Sequence, residues 1–370
     1  MLLPSILLLL AIECIFGYNI HAIAKNSSTA SAAKPNVSPA NPPVKPTNPS
    51  VKPANAFSFA PYILVDPAST QDQNPNIIVQ TEQLTGAKYY TLSFILGNNC
   101  QAEWWHETAK SALPPVVAPS KTPDRMLIAI TQLRKLGGDV IISFGGAAGQ
   151  ELALTCLDAA SLQKQYQNII NTYHVTHLDF DVDAAADATS INRRNQALAA
   201  LQKVNRNLVI SYTLPADTNG LTANGLSVLQ NAAQNGVKVS LVNVMAMDYG
   251  GSAPADQMGQ NAIAAAQAAE KQFASISLSA KIGITPMIAQ NDTSTEIFTT
   301  QDANILVNFA KGDSQIGELS MWALRRDRPC PGGASGGPAT SLCSSISAPV
   351  YAFTKIFNQF HNGSAGQGPS

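Results

Sequence analysis

Short apolar runs alternate with amphipathic, helix-like stretches along the chain from residue 57 onward. The runs are rich in Val, Ile, Leu and aromatic residues and end at Gly, Pro, Asn or Ser, which is typical of buried strands. The predicted strands are 57–64, 89–94, 140–144, 177–182, 208–213, 239–247, 280–285 and 317–322.

The segments between these strands predict helices. One covers 123–136, with Thr122 as the N-cap, Pro123 in the first turn and Gly137 after the end. Further helices are predicted at 225–235, 262–273, 303–310 and 348–360. Repeated strand–helix alternation predicts an α/β fold, a single (β/α)8 TIM barrel over 56–360, whose active site lies at the carboxyl ends of the strands.

The most informative stretch is the fourth strand, 177–182, and the residue after it. Asp179, Asp181 and Asp183 alternate with Leu178, Phe180 and Val182. A strand sends alternate side chains to opposite faces, so the three carboxyl groups share one face. Because like charges this close do not all ionise at neutral pH, at least one carboxyl holds a proton and is available as an acid. This is the chemistry that glycoside hydrolysis requires.

Two other readings of the acidic run are less favourable. A calcium-binding loop needs Gly at its sixth position and Glu at its twelfth, where this chain has Ala184 and Ser190. Solvated surface acids do not usually alternate with large apolar residues at the end of a buried strand. We therefore expect a catalytic carboxylate site, with no metal and no cofactor.

The two ends of the chain differ from the middle. Residues 1–24 combine an apolar block with the small-x-small run Ala22-Ile23-Ala24, which predicts a secretory signal, with an uncleaved membrane anchor as the alternative. Residues 25–55 are rich in Pro and predict a disordered, extended linker, and 361–370 predict a flexible tail. The expected location is extracellular, with the periplasm as an alternative and membrane association only if the signal is retained.

The charge composition limits the classes of molecule that the protein is expected to bind. The net charge is −1 and 13% of residues are charged, which argues against nucleic acid and favours a neutral polymer. Four cysteines follow the signal, and we expect two disulfides among Cys100, Cys156, Cys330 and Cys343. Four cysteines allow three pairings, of which the local pair Cys330 with Cys343 is preferred. The chain also contains N-glycosylation sequons at Asn26, Asn36, Asn291 and Asn362.

Ordered motifs on four strands resemble glycoside hydrolase family 18, the chitinase and endo-β-N-acetylglucosaminidase family. Residues 142–146, Ile-Ser-Phe-Gly-Gly, are similar to its S-x-G-G motif. Residues 179–183 align with D-x-D-x-E, and 245–249, Met-Ala-Met-Asp-Tyr, are similar to M-x-Y-D. The eighth strand ends with Met321-Trp322. The resemblance covers roughly 57–360 and implies a (β/α)8 barrel.

The resemblance also implies a substrate-assisted, retaining mechanism on β-1,4-linked N-acetylglucosamine polymers or related glycans. The sugar's own acetamido oxygen attacks C1, so no enzyme nucleophile is needed. In this scheme Asp183 is the proton donor, Asp181 orients the acetamido group and Asp179 tunes Asp181. The implied substrate-binding residues are Met247, Asp248, Tyr249 and Trp322, with Trp322 beneath the pyranose ring. Ser143 and the Gly145-Gly146 pair are assigned to close backbone packing.

Two departures from the family pattern concern activity. Asp183 stands where the family has Glu, which withdraws the proton donor by roughly 1 Å and predicts weak turnover. Met247 stands where the family usually has Tyr, and Tyr249 offers a hydroxyl two residues later. The competing function is a catalytically silent, chitinase-like lectin or inhibitor that binds glycans or protein. We expect an active hydrolase, because the supporting acids and Trp322 are all present. We also expect a monomer.

Overall fold

The computed structural model describes residues 58–67, 74–105, 124–183, 187–333 and 337–360. Its main sheet is a run of parallel strands in chain order, one for each strand predicted from the sequence. The strands are β1 (Tyr62–Leu64), β2 (Tyr89–Asn98), β3 (Asp139–Gly145), β4 (His177–Asp181), β5 (Val209–Asp217), β6 (Leu241–Ala246), β7 (Lys281–Pro286) and β8 (Ile316–Leu319).

Backbone hydrogen bonds join the first strand to the last. Leu319 N–H donates to Ser58 O at 2.9 Å, Ala60 N–H to Leu319 O at 3.1 Å, and Tyr62 N–H to Met321 O at 3.1 Å. These bonds close the curled sheet, which confirms the predicted TIM-barrel architecture.

Helices follow the strands and cover the outside of the sheet. They are α1 (Ile77–Thr85), α2 (Arg125–Lys135), α3 (Ala159–Tyr173), α4 (Ala188–Val204), α5 (Ala223–Gln234), α6 (Met258–Ser275), α7 (Thr300–Gly312) and α8 (Ala352–Phe357). Helix α2 begins after Asp124, whose side chain accepts from the backbone of Met126 and Leu127. The predicted N-cap, Thr122, lies outside the described residues, and Asp124 performs that role.

The strand alternation separates an apolar outer layer from a polar interior. On β4, Leu178 and Phe180 are buried against the helices, and Phe180 stacks on Phe144 of β3 at 5.3 Å between ring centroids. Tyr166 of α3 packs edge-on against both rings. Asp179 and Asp181 point the opposite way, into the barrel. The predicted two-faced character of this strand is therefore confirmed.

A hairpin extends β2 beyond the barrel. The strand Gln101–Trp104 pairs antiparallel with the end of β2, with Trp104 opposite Ile95. Two disulfides are present, Cys100–Cys156 and Cys330–Cys343, which confirms the preferred local pair and identifies the other. The first disulfide ties the tip of the hairpin to the short helix Leu152–Thr155 after β3.

Several predictions from the chain ends fall outside the described residues: the signal at 1–24, the linker at 25–55 and the tail at 361–370. Within the described ranges, no helix is both long and apolar enough to cross a membrane. Asn291 is fully buried, and its side-chain amide donates to Met287 O and Ala289 O. The sequon at Asn291 is therefore inaccessible to a glycosylating enzyme in the folded protein.

Candidate active site

A cavity of about 500 Å³ opens at the carboxyl ends of the barrel strands. It brings together six of the seven residues that the sequence nominated. These are Asp181, Asp183, Met247, Asp248, Tyr249 and Trp322. The seventh, Asp179, lies beneath the cavity floor in the barrel interior and is 1% exposed.

Asp179 accepts hydrogen bonds from four hydroxyl groups. Tyr62 and Ser143 donate to its Oδ2, each at 2.7 Å, while Ser211 and Thr213 donate to its Oδ1 at 2.6 and 3.1 Å. Burial raises the pKa of Asp179 above its ordinary value, and the four hydroxyl donors act in the opposite direction. The Thr213 hydroxyl also lies 2.6 Å from the Tyr62 hydroxyl, so these two groups form a hydrogen-bonded pair beside Asp179.

The donors to Asp179 come from three other strands. Tyr62 lies on β1, Ser143 on β3, and Ser211 and Thr213 on β5. The assignment of Ser143 to backbone packing was therefore wrong, since its hydroxyl contacts the site directly. His177 Nε2 lies 3.0 Å from Ser211 Oγ. Burial lowers the pKa of His177 to about 3, so this ring is neutral and adds no charge beneath the acids.

Asp181 is buried at the cavity floor without a compensating donor. It is 8% exposed, and its Oδ1 has no hydrogen-bond partner among the described residues. Burial raises its pKa well above the ordinary value, and the neighbouring charges of Asp179 and Asp183 add to the effect. The buried, unpartnered Oδ1 leaves the burial of this carboxyl uncompensated, which agrees with its raised pKa.

Asp183 lies two residues beyond the end of β4, at the exposed rim. Although the residue is exposed overall, the cavity wall shields its carboxyl from part of the solvent. This partial burial raises its pKa, and the nearby Asp248 raises it further. Asp183 therefore keeps its proton to a higher pH than an ordinary aspartate, which suits a general acid.

Asp248 and Tyr249 form the wall next to Asp183. Asp248 adopts a positive φ of 52° and accepts from Thr293 N–H at 2.7 Å. Tyr249 is 8% exposed, and its buried hydroxyl has no partner among the described residues. Its backbone N–H donates to Glu296 at 3.1 Å, an anchor that no local sequence signal marks. Tyr249 also lines the cavity.

Trp322 forms an aromatic floor together with two other residues. It is half-buried, stacks on Phe94 at 5.8 Å and meets the edge of Tyr62 at 6.1 Å. All three residues line the cavity. The indole therefore offers one apolar face to a ligand while its own position is fixed by packing.

The Gly145-Gly146 pair allows β3 and β4 to meet closely at the rim. A Cβ on Gly145 would lie 2.2 Å from Asp181 O, and one on Gly146 would lie 2.6 Å from the Phe94 ring. Gly146 N–H donates to Asp181 O at 3.0 Å. The prediction that these glycines serve close packing is confirmed, and their effect is to hold Asp181 and Phe94 in place.

The barrel interior also contains a buried acid that sequence analysis missed. Glu318 of β8 is fully buried, and Asn243 Nδ2 donates to its Oε1 at 3.4 Å. Burial raises the pKa of Glu318 well above its ordinary value, with a further contribution from Asp179. Gly283 of β7 lies between Asn243 and Glu318. A Cβ on Gly283 would overlap the Asn243 side chain at 1.7 Å.

The arrangement combines a carboxyl with a raised pKa at the rim, a buried acid at the floor, and an aromatic platform. Such a site can protonate a leaving group while a buried charge stabilises a cation that forms on the ligand. No cluster of three or more His, Cys, Asp or Glu suited to a metal ion is found in the part of the chain that the structure describes.

Comparison with known proteins gives a consistent family. The chain is 35% identical over 251 residues to the "Probable bifunctional chitinase/lysozyme" of Escherichia coli K12, a match that covers 62% of this chain and 28% of that protein. It is 34% identical over 220 residues to Endochitinase 11 of Metarhizium anisopliae, covering 54% of this chain and 42% of the relative. The chain thus spans less than half the length of either relative. No family profile matches the chain.

Solved structures extend the comparison. The active domain 2 of a chitinase from Pyrococcus furiosus superposes with a TM-score of 0.69 at 32% identity, covering 83% of this chain and 97% of that domain. The catalytic domain of a GH18 chitinase from the fern Peteris ryukyuensis has a TM-score of 0.50 at 14% identity and covers 81% of this chain and 98% of that domain. The second likeness supports the fold alone.

Proposed function

The chain belongs to glycoside hydrolase family 18, and from that premise we propose that it hydrolyses β-1,4-linked N-acetylglucosamine polymers with retention of configuration. The observation that carries this proposal is the shared cavity of Asp181, Asp183 and Trp322. A chitinase domain from Pyrococcus furiosus has been solved with chito-oligosaccharides, which supports the same class of ligand here. We also propose, from the predicted signal, that the protein is exported.

In the proposed reaction the sugar supplies its own nucleophile. The ring lies on Trp322, and its acetamido group points toward Asp181 at the cavity floor. The acetamido N–H donates to the carboxyl group of Asp181, which lines the cavity. This contact holds the acetamido oxygen against C1, where it displaces the leaving group and forms a cyclic oxazolinium-like ion.

Asp183 donates its proton to the glycosidic oxygen as the bond breaks. The partial burial of Asp183 and the nearby Asp248 keep this proton in place, because both raise the pKa of Asp183. As a carboxylate, Asp183 then activates the water that opens the cyclic ion, and the proton it takes up restores the starting state. Asp179, held in place by the hydroxyl groups around it, stabilises the positive charge from beneath Asp181.

The proposal is tested with soluble chitin oligomers. We expect products that retain the β configuration, which proton NMR of the anomeric signals would detect. A calorimetric binding measurement on the same oligomers runs in parallel. Release of the α anomer would contradict the substrate-assisted mechanism, and absence of both binding and product would contradict the family's ligand class for this chain.

A second candidate function, a silent glycan-binding protein, rests on one observation. Asp183 has a side chain one methylene shorter than the glutamate that the family places at the proton-donor position. If the native protein binds oligomers and releases no product, the lectin-like function replaces the hydrolase. The presence of a carboxyl group at the position, with a raised pKa, favours the hydrolase.

A further inference from the structure

The loop after β6 carries two residues of the cavity wall, Asp248 and Tyr249. Asp248 has a φ of 52° and Gly250 a φ of 63°, so the chain enters the left-handed region twice within three residues. Glycine adopts this region freely, whereas an aspartate there costs free energy and needs contacts that hold it. The position of Asp248 beside Asp183 therefore depends on what fixes this loop.

Glu296, a buried acid outside the loop, supplies those contacts. Its Oε1 accepts the Gly250 N–H at 2.7 Å, and its Oε2 accepts the Tyr249 N–H at 3.1 Å. Successive backbone N–H groups that point at one carboxylate form a site that favours an anion. Burial raises the pKa of Glu296, and these two N–H groups act in the opposite direction. One side chain thus holds the two residues that follow Asp248.

The contact between the loop and the segment that carries Glu296 is reciprocal. Glu296 belongs to the hairpin after β7, in which Ala289–Gln290 pairs antiparallel with Ile297–Phe298. Within the turn of this hairpin, Glu296 N–H donates to Thr293 O at 2.9 Å. The Thr293 N–H in turn donates to Asp248 Oδ1 at 2.7 Å. The loop and the hairpin therefore hold each other through a carboxylate on each side.

We propose that Glu296 is a positioning residue, which holds the loop after β6 so that the Asp248 carboxyl stays beside Asp183 during proton transfer. This inference rests on the proposed function. Asp248 is the neighbouring charge that raises the pKa of Asp183. Weaker contacts at Glu296 would let Asp248 move away from Asp183, and the pKa of Asp183 would then fall toward its ordinary value.

Other charged groups also face Asp248, and they are unchanged in the Glu296 variants below. The Arg326 guanidinium donates to backbone carbonyl oxygens of three residues, and burial lowers its pKa to about 10, so it stays cationic below that pH. The full set is Asp181 and Asp183 at the end of β4, Asp217 of β5, Asp292 of the hairpin after β7, and Arg326 after β8.

The test follows the alkaline limb of chitotetraose hydrolysis in Glu296→Gln, Asp248→Asn and the double variant. Glu296→Gln replaces one accepting oxygen by an NH₂ group, which cannot accept a backbone N–H. Its limb should move to lower pH, no further than in Asp248→Asn. Its kcat should fall by about tenfold, less than the roughly hundredfold loss from a 1 Å misplacement, because Asp248 is not itself the donor. The limb of the double variant should coincide with that of Asp248→Asn, because Glu296 acts through Asp248.

Two further variants separate position from charge and from general stability. Glu296→Asp keeps the charge but cannot reach both N–H groups, so its limb should also move to lower pH. Asp302→Asn is the matched control, because Asp302 is a buried acid that accepts the backbone N–H groups of Gly259 and Thr299 and lines no part of the cavity. It should lower the thermal midpoint and leave the limb in place.

Three results would overturn the inference: a native limb in folded Glu296→Gln, a shift in Glu296→Gln that Glu296→Asp does not share, or additive shifts in the double variant. If Glu296→Gln does not fold, a native limb in Glu296→Asp has the same meaning. Carbon NMR titration of the Asp183 carboxyl follows its pKa without turnover, so the comparison also holds for a protein that binds oligomers and releases no product. If the native protein neither binds nor cleaves chitotetraose, the proposed function itself fails, an outcome recognisable before any variant is made.

Discussion

Asp183, the proposed proton donor, offers the sharpest test of the site. Asp183→Asn replaces the acid by an amide of the same size, whose N–H groups are too weakly acidic to protonate a leaving group. General acid catalysis contributes about 10²–10⁴-fold, and kcat for chitin oligomers should fall by that factor. Affinity should stay near the native value, because the cavity shape and Trp322 are unchanged.

Asp183→Glu acts in the opposite direction. The added methylene advances the carboxyl by roughly 1 Å, a displacement that can change a rate on the order of a hundredfold. Asp183 lies at the rim, two residues beyond β4, where a longer side chain has room to extend. We therefore expect a higher kcat in the Glu variant than in the native protein.

The pH profile links the rate to the same carboxyl group. The acid must be protonated, so activity falls as the pH rises through the pKa of Asp183. Burial raises that pKa, and Asp248 raises it further. Asp248→Asn removes the second cause, so the alkaline limb should move to lower pH without reaching the position of an ordinary aspartate. Asp256→Asn, an exposed residue outside the cavity, removes the same charge and should leave the limb in place.

The assay is a discontinuous measurement of products from chitotetraose across pH, with thermal melting as the check on folding. Two results would refute the reasoning. Equal activity in the native protein and Asp183→Asn would remove Asp183 from proton transfer. An alkaline limb that shifts equally in the Asp248 and Asp256 variants would show a general charge effect rather than a local one.

Asp181→Asn should lower kcat by on the order of 10²-fold or more, measured on the same oligomers, because a preorganised charge beneath the cationic intermediate is lost. Trp322→Ala should weaken oligomer binding at least about tenfold by calorimetry, since the ring loses its apolar platform, and unchanged affinity in a folded variant would return Trp322 to a packing role. Removal of Cys100–Cys156 should reduce the free energy of unfolding by about 4 kcal/mol, and removal of Cys330–Cys343 by about 3 kcal/mol. The first disulfide has the larger effect because it closes a loop of 56 residues, whereas the second closes 13. Equal denaturation midpoints of the two variants would contradict this. Export with removal of residues 1–24 is checked by N-terminal sequencing, and a mature chain that begins at Met1 would exclude cleavage.

Sequence alone identified the parts of the site that have a local signal. Asp179, Asp181 and Asp183 were visible because strand alternation makes a repeated acid between apolar residues conspicuous. Trp322 was visible as the single tryptophan at the end of a predicted strand. The strand–helix alternation likewise predicted the barrel, because each strand is short and bounded by turn residues.

The supporting residues had no such signal. Tyr62 and Ser211 lie within largely apolar strands without a motif around them, and only the register shows that they meet Asp179. Glu318 was missed for the same reason, since its burial depends on the closed barrel around it. The N-cap at Asp124 was missed because Thr122 and Pro123 fit the capping pattern equally well. Sequence patterns thus specify faces, whereas contacts across the barrel interior depend on registers set by the whole sheet.

The hydrogen bonds that close the barrel link local opening of the sheet to ligand binding. The first and last strands are joined by the bonds of Ser58, Ala60 and Tyr62 to residues 319–321, and the upper end of that seam carries Tyr62 on one side and Trp322 on the other. Both side chains line the cavity. A ligand that touches both bridges the seam, so local opening there and loss of the bound sugar become one event. A bound substrate that contacts both side chains would therefore stabilise the pairing of the first and last strands.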